Sequence, residues 1–282
     1  MNIKPAPLIT IIIAVFNGAK TLQQCIDSLA QQSYPNKELI IIDGGSKDGT
    51  VDLLKANSEK INYWVSEPDN GIYNAWNKGL AKANGDWICF LGADDFFWNT
   101  QVLEQMSEQL VKLPTDRLVA YGQIMLLSFQ GENLYAIGKP WDNVKERFKQ
   151  EMCIPHPGLM HHRRLFELHG KFDESFSIVS DYELLLRELN FGDAAFIPNI
   201  IVTGMRQGGV SSNPKLSLTM LHEVRRIHIM HGQNIPSKIW LLALIRVYIR
   251  IFLWKILGEK FTRKALDFGR RIIGLPAHWT KT

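Results

Sequence analysis

The chain is poor in cysteine, and what it has is scattered. Cys25, Cys89 and Cys153 are three cysteines in 282 residues, with no Cys-x-x-Cys pair among them. That argues against a disulfide scaffold or a cysteine zinc site and fits a reducing compartment. No basic stretch with a secretory-length apolar run follows Met1, since the apolar run from Ile9 to Phe16 is only strand-sized. No signal peptide is therefore expected. There is no G-x-G-x-x-G, and the loop Gly44-Gly-Ser-Lys-Asp-Gly49 does not end in the Gly-Lys-Ser of a phosphate loop. A dinucleotide dehydrogenase is disfavoured accordingly. Internal repeats and low-complexity tracts are also missing. With 46% hydrophobic and 21% charged residues, the composition is that of an ordinary globular chain, not a disordered, collagenous or coiled-coil one.

What is present begins with a charge asymmetry. The net charge is +4, yet residues 236–282 carry ten basic and two acidic side chains, leaving 22 basic and 26 acidic in residues 1–235. A mildly acidic body with a basic tail points to an anionic surface as the tail's partner. Because the tail is also strongly apolar, nucleic acid is not expected as that surface. The composition shift near Pro236 divides the chain into a main domain, 1–235, and a helical basic tail, 236–282.

Over the first hundred residues strand and helix signals alternate. Leu8 to Val15, Glu38 to Asp43, Ile61 to Val65 and Trp87 to Leu91 read as strands, the first two as β-branched runs buried on both faces. Between them Leu22, Cys25, Ile26 and Leu29, and then Ile72, Ala75, Trp76, Leu80 and Ala83, fall at helical spacing. Short connections of this kind imply right-handed crossovers and a doubly wound parallel sheet. Further on, Leu118 to Phe129 reads as a strand pair, and Ser180 to Phe191 as a helix opened by a Ser180/Glu183 capping box.

Ligands of an open parallel sheet bind beyond the carboxyl ends of its strands. The segments to inspect are Ala14 to Gly18, Asp43 to Thr50, Glu67 to Gly71 and Gly92 to Asp95. Asp43 ends a strand, where it could accept hydrogen bonds from a base or ribose or could simply shape its glycine-rich turn. The adjacent carboxylates of Asp94 and Asp95 repel unless a cation offsets them, and hard oxygen ligands suit Mg²⁺ or Mn²⁺. A solvated acidic turn is the alternative. Pro155 and Pro157 flank His156, so His156, His161 and His162 lack a helical ligand spacing, and His156 is read as an acceptor-site or diphosphate contact. Most tryptophans lie on apolar faces; Trp98 and Trp141 are the loop exceptions, candidates for sugar contact.

In order along the chain, Ile9-Thr-Ile-Ile-Ile-Ala-Val-Phe-Asn17, the run 32–50 ending Asp-Gly-Gly-Ser-Lys-Asp-Gly-Thr, Glu67-Pro-Asp-Asn-Gly-Ile-Tyr-Asn-Ala-Trp-Asn-Lys-Gly79, Gly85 to Asp95 and Phe172 to Arg187 resemble the motifs of family 2 glycosyltransferases. The resemblance spans residues 8 to about 205 and excludes the tail. It implies a GT-A fold, a mostly parallel sheet flanked by helices, with a nucleotide-sugar half over about 8–100 and an acceptor half over about 101–235. It implies a nucleotide pocket lined by Ala14, Phe16 and Asn17, with Asp43, Asp69 and Lys78 around it. Asp94 matches the last acid of the D-x-D element, which holds a divalent cation, Mn²⁺ or Mg²⁺, against the diphosphate. Gly92 stands where the first acid usually does, and Asp95 is expected to compensate as a second metal ligand. Asp181 matches the general base, which implies inversion by single displacement. First-turn placement on a helix favours the charged carboxylate and so is expected to lower its basicity.

The expected reaction moves a sugar from a UDP- or GDP-sugar to a saccharide or lipid-linked acceptor, in surface polysaccharide biosynthesis. A non-catalytic nucleotide-sugar-binding or scaffold protein, which Gly92 would favour, and a nucleotidyltransferase are the competing classes. The tail needs no family to be read. Ile239 to Leu257 would span ~28 Å as a helix, near the ~30 Å of a bilayer core. Arg246 and Arg250 at its centre cost ~2.5–3.5 kcal/mol each on the insertion scale, which nearly cancels the apolar gain. With Lys260, Arg263, Lys264, Arg270 and Arg271 following, helices lying in an anionic interface are expected; a hairpin packed on protein is the alternative. A cytoplasmic protein, peripheral on the inner face of the cell membrane, is the corresponding location.

Overall fold

The computed structural model describes residues 5–128, 130–207, 216–272 and 274. In chain order the elements are β1 (Ile9–Val15), α1 (Leu22–Ala30), β2 (Lys37–Asp43), α2 (Thr50–Ala56), β3 (Tyr63–Ser66), α3 (Ile72–Leu80), β4 (Trp87–Gly92) and β5 (Phe96–Phe97). They continue with α4 (Val102–Leu110), β6 (Val119–Leu127), β7 (Asn133–Ile137), α5 (Lys145–Phe148), β8 (Met160–His162), α6 (Arg163–His169), α7 (Ser180–Leu189), β9 (Ala195–Arg206), α8 (Ser217–Met230) and α9 (Lys238–Ile272).

The sheet runs β3-β2-β1-β4-β8-β6-β9-β5, with β7 paired to β6. Its first four strands are parallel, whereas β4–β8, β6–β8 and β5–β9 are antiparallel. The fold is α/β of the expected type. β1 lies in the middle of the parallel part with Ile9, Ile11, Ile12 and Ile13 fully buried, as a β-branched run covered on both faces must be. α3 packs on that part of the sheet, burying Ala75, Trp76 and Gly79.

Register fixes the carboxyl edge. Ala14 lies between Ile42 and Gly92, Val15 opposite Asp43, and Asp43 opposite Ser66. A single edge therefore carries Gly92, Ala14, Asp43 and Ser66, with the loops to α1, α2, α3 and β5 above it.

Two expectations are corrected. Residues 119–127 form one strand, not a pair, because the partner β7 begins only at Asn133; Phe129 lies outside the described residues. The capping box is not made. Val179 is the N-cap of α7 and makes no side-chain cap, so Ser180 is already helical, its buried hydroxyl has no hydrogen-bond partner, and Glu183 pairs with Arg187. The side-chain bond that Ser180 would give from the cap position is unavailable one residue further in.

The described residues fall into two compact units, one drawn from 1–126 and 135–205, the other from 127–134 and 206–282. In the second unit α8 and α9 pack together. α9 breaks at Gly258, whose φ of 72° is left-handed. Among the described residues no helix is long and apolar enough to cross a membrane. Arg250 is not on the outer face of α9; its guanidinium donates to Ser217 Oγ, 2.5 Å away. Leu242, Ile245, Tyr248, Ile249, Phe252 and Ile256 are exposed instead.

Candidate functional site

Asp43 is fully buried. Its Oδ2 accepts from the backbone N–H of Gly45 and Ser46 at 3.2 and 3.0 Å and from Ser66 Oγ at 2.6 Å, and its Oδ1 from Ser46 Oγ. The carboxylate thus folds the loop after β2 and ties it to β3. Asp69 comes against this loop from the other side. A Cβ on Gly44 would lie 2.6 Å from Asp69 Oδ2, so glycine is what lets the carboxylate approach. Asp69 Oδ1 also accepts the Gly71 N–H at 2.9 Å, at the start of α3. Asp48 accepts from Ala19 N and Thr50 N and joins the loops after β1 and β2.

The first loop is held through Asn17, one of two non-glycine residues with positive φ (52°) among the described residues. Its N–H donates to Ser46 Oγ at 2.6 Å and its Oδ1 accepts from Lys47 N at 3.1 Å. Phe16, 67% exposed, stands free beside it, above Ala14. Lys78 is held by Glu67, at 2.7 Å, and by the Pro68 carbonyl, at 3.1 Å. Ala14, Phe16, Asn17, Asp43, Asp69 and Lys78 are therefore gathered at the ends of β1, β2 and β3 by contacts within the protein.

At the end of β4 the missing acid has a geometric consequence. An ideal Cβ on Gly92 would lie 2.7 Å from Asp94 Oδ1 and 3.1 Å from Asp95 Oδ2. Both carboxylates thus fold over the space a side chain would fill. Asp95 is buried, and its Oδ2 accepts the Gly92 N–H at 3.0 Å; Asp94 is partly exposed. Two hard oxygen donors converging on one space fit Mg²⁺ or Mn²⁺, which take one or two carboxylates and complete their shell with substrate phosphates. Among the described residues no group of three His, Cys, Asp or Glu side chains stands ready to hold a metal, so such an ion would draw its remaining ligands from substrate and water.

Asp181 lies in the first turn of α7, and its placement overturns the expectation of weakened basicity. Burial raises its pKa from the usual 3.8 to about 6, outweighing the opposing hydrogen bonds from the Tyr182 N–H and the Tyr73 hydroxyl. Desolvation penalises the anion more than the first-turn amides favour it. Tyr73 Oη lies 3.0 Å from Asp181 Oδ1. A carboxyl with a pKa near neutrality is suited to accept a proton from an alcohol.

His156 is in neither a metal cluster nor an open cleft. It is buried, with its ring stacked on Trp76 at 5.1 Å and close to Phe90 and His161. Burial lowers its pKa to about 3, so it is neutral, and its Nε2 has no hydrogen-bond partner. A neutral ring offers a diphosphate no charge. Trp141 is buried too and donates to Asp193 Oδ1 at 2.8 Å, which leaves it a core residue, and Trp98 packs on the core. Sequence reading missed Tyr73, Asn74 and Asn77. A buried asparagine on an otherwise apolar helix face was the signal available.

Comparison with known proteins agrees with this geometry. Residues 10–157, just over half the chain, match the sequence profile "Glycosyl transferase family 2". The chain is similar to a PGL/p-HBAD biosynthesis glycosyltransferase of Mycobacterium bovis, 28% identical over 214 residues that cover 74% of this chain and 80% of that protein. Its fold is similar to that of Staphylococcus aureus TarS 1-349 in complex with UDP-GlcNAc, with a TM-score of 0.61, 15% identity and coverage of 78% of this chain and 66% of that one. Of a longer TarS chain it spans 39%. It also resembles the mannosyltransferase PcManGT of Pyrobaculum calidifontis in complex with GDP-Man and Mn²⁺, with a TM-score of 0.60, 16% identity and coverage of 92% and 74%. The strand-end loops and the sequence match lead to one assignment: the chain belongs to glycosyltransferase family 2.

Proposed function

We propose that this glycosyltransferase takes a sugar from a UDP- or GDP-sugar and passes it, with inversion, to a hydroxyl of a saccharide or lipid-linked acceptor, as a step in building a surface polysaccharide. The observation that carries the reading is Asp181, a partly buried carboxyl bonded to the Tyr73 hydroxyl, whose pKa desolvation raises to about 6, in the same unit as the nucleotide-type strand ends. An alcohol is a weak nucleophile until a base removes its proton as it attacks. In the proposed reaction Asp181 takes that proton, the acceptor oxygen bonds to C1 of the sugar, and the bond from C1 to the diphosphate breaks with its electron pair leaving on the diphosphate.

Ala14, Phe16, Asn17, Asp43 and Asp69 are the proposed surroundings of the nucleotide, with Lys78 beside them; for His156, neutral and buried on Trp76, the proposal is an acceptor-site contact. Asp94, with Asp95 as a second ligand, would hold Mn²⁺ or Mg²⁺, whose charge offsets that of the departing diphosphate. Neighbours of the same fold were solved with UDP-GlcNAc and with GDP-Man and Mn²⁺, which supports both donor classes and the cation.

The test is Asp181→Asn, which keeps size and hydrogen bonding but not the proton acceptor. It should lower transfer by ~10²–10⁴ while UDP- or GDP-sugar binding stays close to wild type. Near-wild-type turnover would remove Asp181 from the role.

For the segment 236–282 we propose docking on an anionic membrane surface from the cytoplasmic side, with residues 1–235 as the catalytic region. The outer face of α9 supports this. Leu241, Leu242, Ile245, Tyr248, Ile249, Phe252 and Ile256 are exposed at helical spacing, accompanied by exposed Arg246, Lys255, Lys260 and Lys264. A basic amphipathic face of that kind binds in the plane of a headgroup layer.

A further inference from the structure

We propose that one side of α3 is the positioning device for the general base: Tyr73, Asn74 and Asn77 hold the segment Phe172–Asp181 so that Asp181 faces the acceptor. The inference rests on Asp181 being the base. Positions 73 and 77, and 74 and 77, are neighbours on a helix surface, and all three reach the same stretch of chain about a hundred residues away. Asn77 Nδ2 donates to the Phe172 carbonyl at 2.9 Å and to Glu174 Oε1 at 2.7 Å, while its Oδ1 accepts the Phe172 N–H at 3.1 Å. Asn74 Nδ2 donates to the other oxygen of Glu174 at 2.7 Å. Tyr73 Oη lies 2.6 Å from the Ile178 carbonyl and 3.0 Å from Asp181 Oδ1.

The phenol has one proton for those two acceptors. A charged acceptor makes the stronger bond, so once the base ionises the phenol proton is drawn to Oδ1, and together with the Tyr182 and Asp181 N–H groups that also reach the carboxylate it holds the carboxylate's orientation. Asp69 lies in the loop just before this helix and Lys78 on it, so residues proposed to meet the donor and those that aim the base meet at one rigid element. The edge-on contact of Tyr73 with Trp76 and its tilted contact with Phe172, with centroids 5.5 and 5.6 Å apart, hold the phenol in place. The titratable group facing Asp181 from a neighbouring element is Tyr73; burial and the N–H groups of α7 are its other influences.

Tyr73→Phe keeps the ring contacts and removes only the hydroxyl. A base misplaced by about 1 Å can cost roughly 10²-fold, so kcat should fall ~10–100-fold with the KM for the nucleotide-sugar within about two-fold. The acid limb of the pH profile should move to higher pH, because the carboxylate loses a donor. Exposed Glu174 supplies a second variant that does not disturb the core: Glu174→Ala frees Asn74 and Asn77 and should likewise lower kcat and leave donor affinity alone. Wild-type kcat and acid limb in both variants would overturn the inference, and so would losses of kcat and donor affinity in equal measure with an unmoved limb. Asp181→Asn, run alongside, separates the two claims. An active Asp181→Asn defeats the base itself, whereas an inactive one beside a fully active Tyr73→Phe defeats only the positioning role.

Discussion

A carboxyl with its pKa raised from 3.8 to about 6 changes stability as well as chemistry. Between those values the folded chain holds more protons at Asp181 than the unfolded chain does, so stability falls as pH rises through that window. Above it the full penalty applies, ~3 kcal/mol for a shift of that size. Asp181→Asn carries no such charge. Thermal unfolding should therefore find the variant more stable than wild type at pH 8, with the gain gone near pH 4; equal stability at both pH values would contradict the burial of an ionised group. Activity should vary in the opposite sense, rising as pH climbs through about 6 and the base ionises. The other residue-scale prediction concerns Gly92. Since Asp94 is partly exposed and Asp95 is tied to the Gly92 N–H, Asp94→Ala should weaken Mn²⁺-dependent binding of UDP or GDP more than Asp95→Ala does. Calorimetry with and without Mn²⁺ decides it, and equal binding by wild type and Asp94→Ala would refute the ligand assignment.

At the scale of elements, legibility followed the range of the interaction that made each one. β1, β2 and β4 could be read because a strand buried on both faces announces itself by an unbroken apolar run. α7 could be read with its start at Ser180, but its capping could not: whether Ser180 caps or begins the helix depends on the chain entering through Val179, not on the four-residue pattern. The basicity of Asp181 was misjudged for a similar reason. The first-turn amides are local and visible in sequence, whereas the burial that outweighs them is assembled by distant segments, including Tyr73 from α3. Likewise Arg246 and Arg250 of α9 look alike in sequence, yet Arg250 turns toward Ser217 and Arg246 outward. The resulting exposed apolar face can be tested. Phe252→Glu with Ile256→Glu should abolish flotation with phosphatidylserine vesicles, and high salt should weaken wild-type binding through screening. Unchanged flotation of the double variant would count against docking through this face, and a soluble, monodisperse wild type that never binds vesicles would count against docking altogether.

For the whole molecule, the division of labour lies along one sheet edge. The loops after β1, β2 and β3 knit together through Asn17, Asp43, Ser46, Asp48 and Asp69, the turn after β4 offers Asp94, and α3 carries the link from that edge to Asp181. In the proposed reaction that division gives Asp181 a task, proton removal from the acceptor, that a protein which only holds nucleotide-sugars would not need. The decisive measurement is incubation of the full chain with sugar-labelled UDP- and GDP-sugars, Mn²⁺ and a lipid-linked saccharide acceptor, following both label and released phosphates. Label should pass to the acceptor with inversion at C1 and with release of UDP or GDP. Tight donor binding with no transfer across the panel would contradict catalysis, and release of pyrophosphate in place of the nucleoside diphosphate would point to nucleotidyl transfer instead.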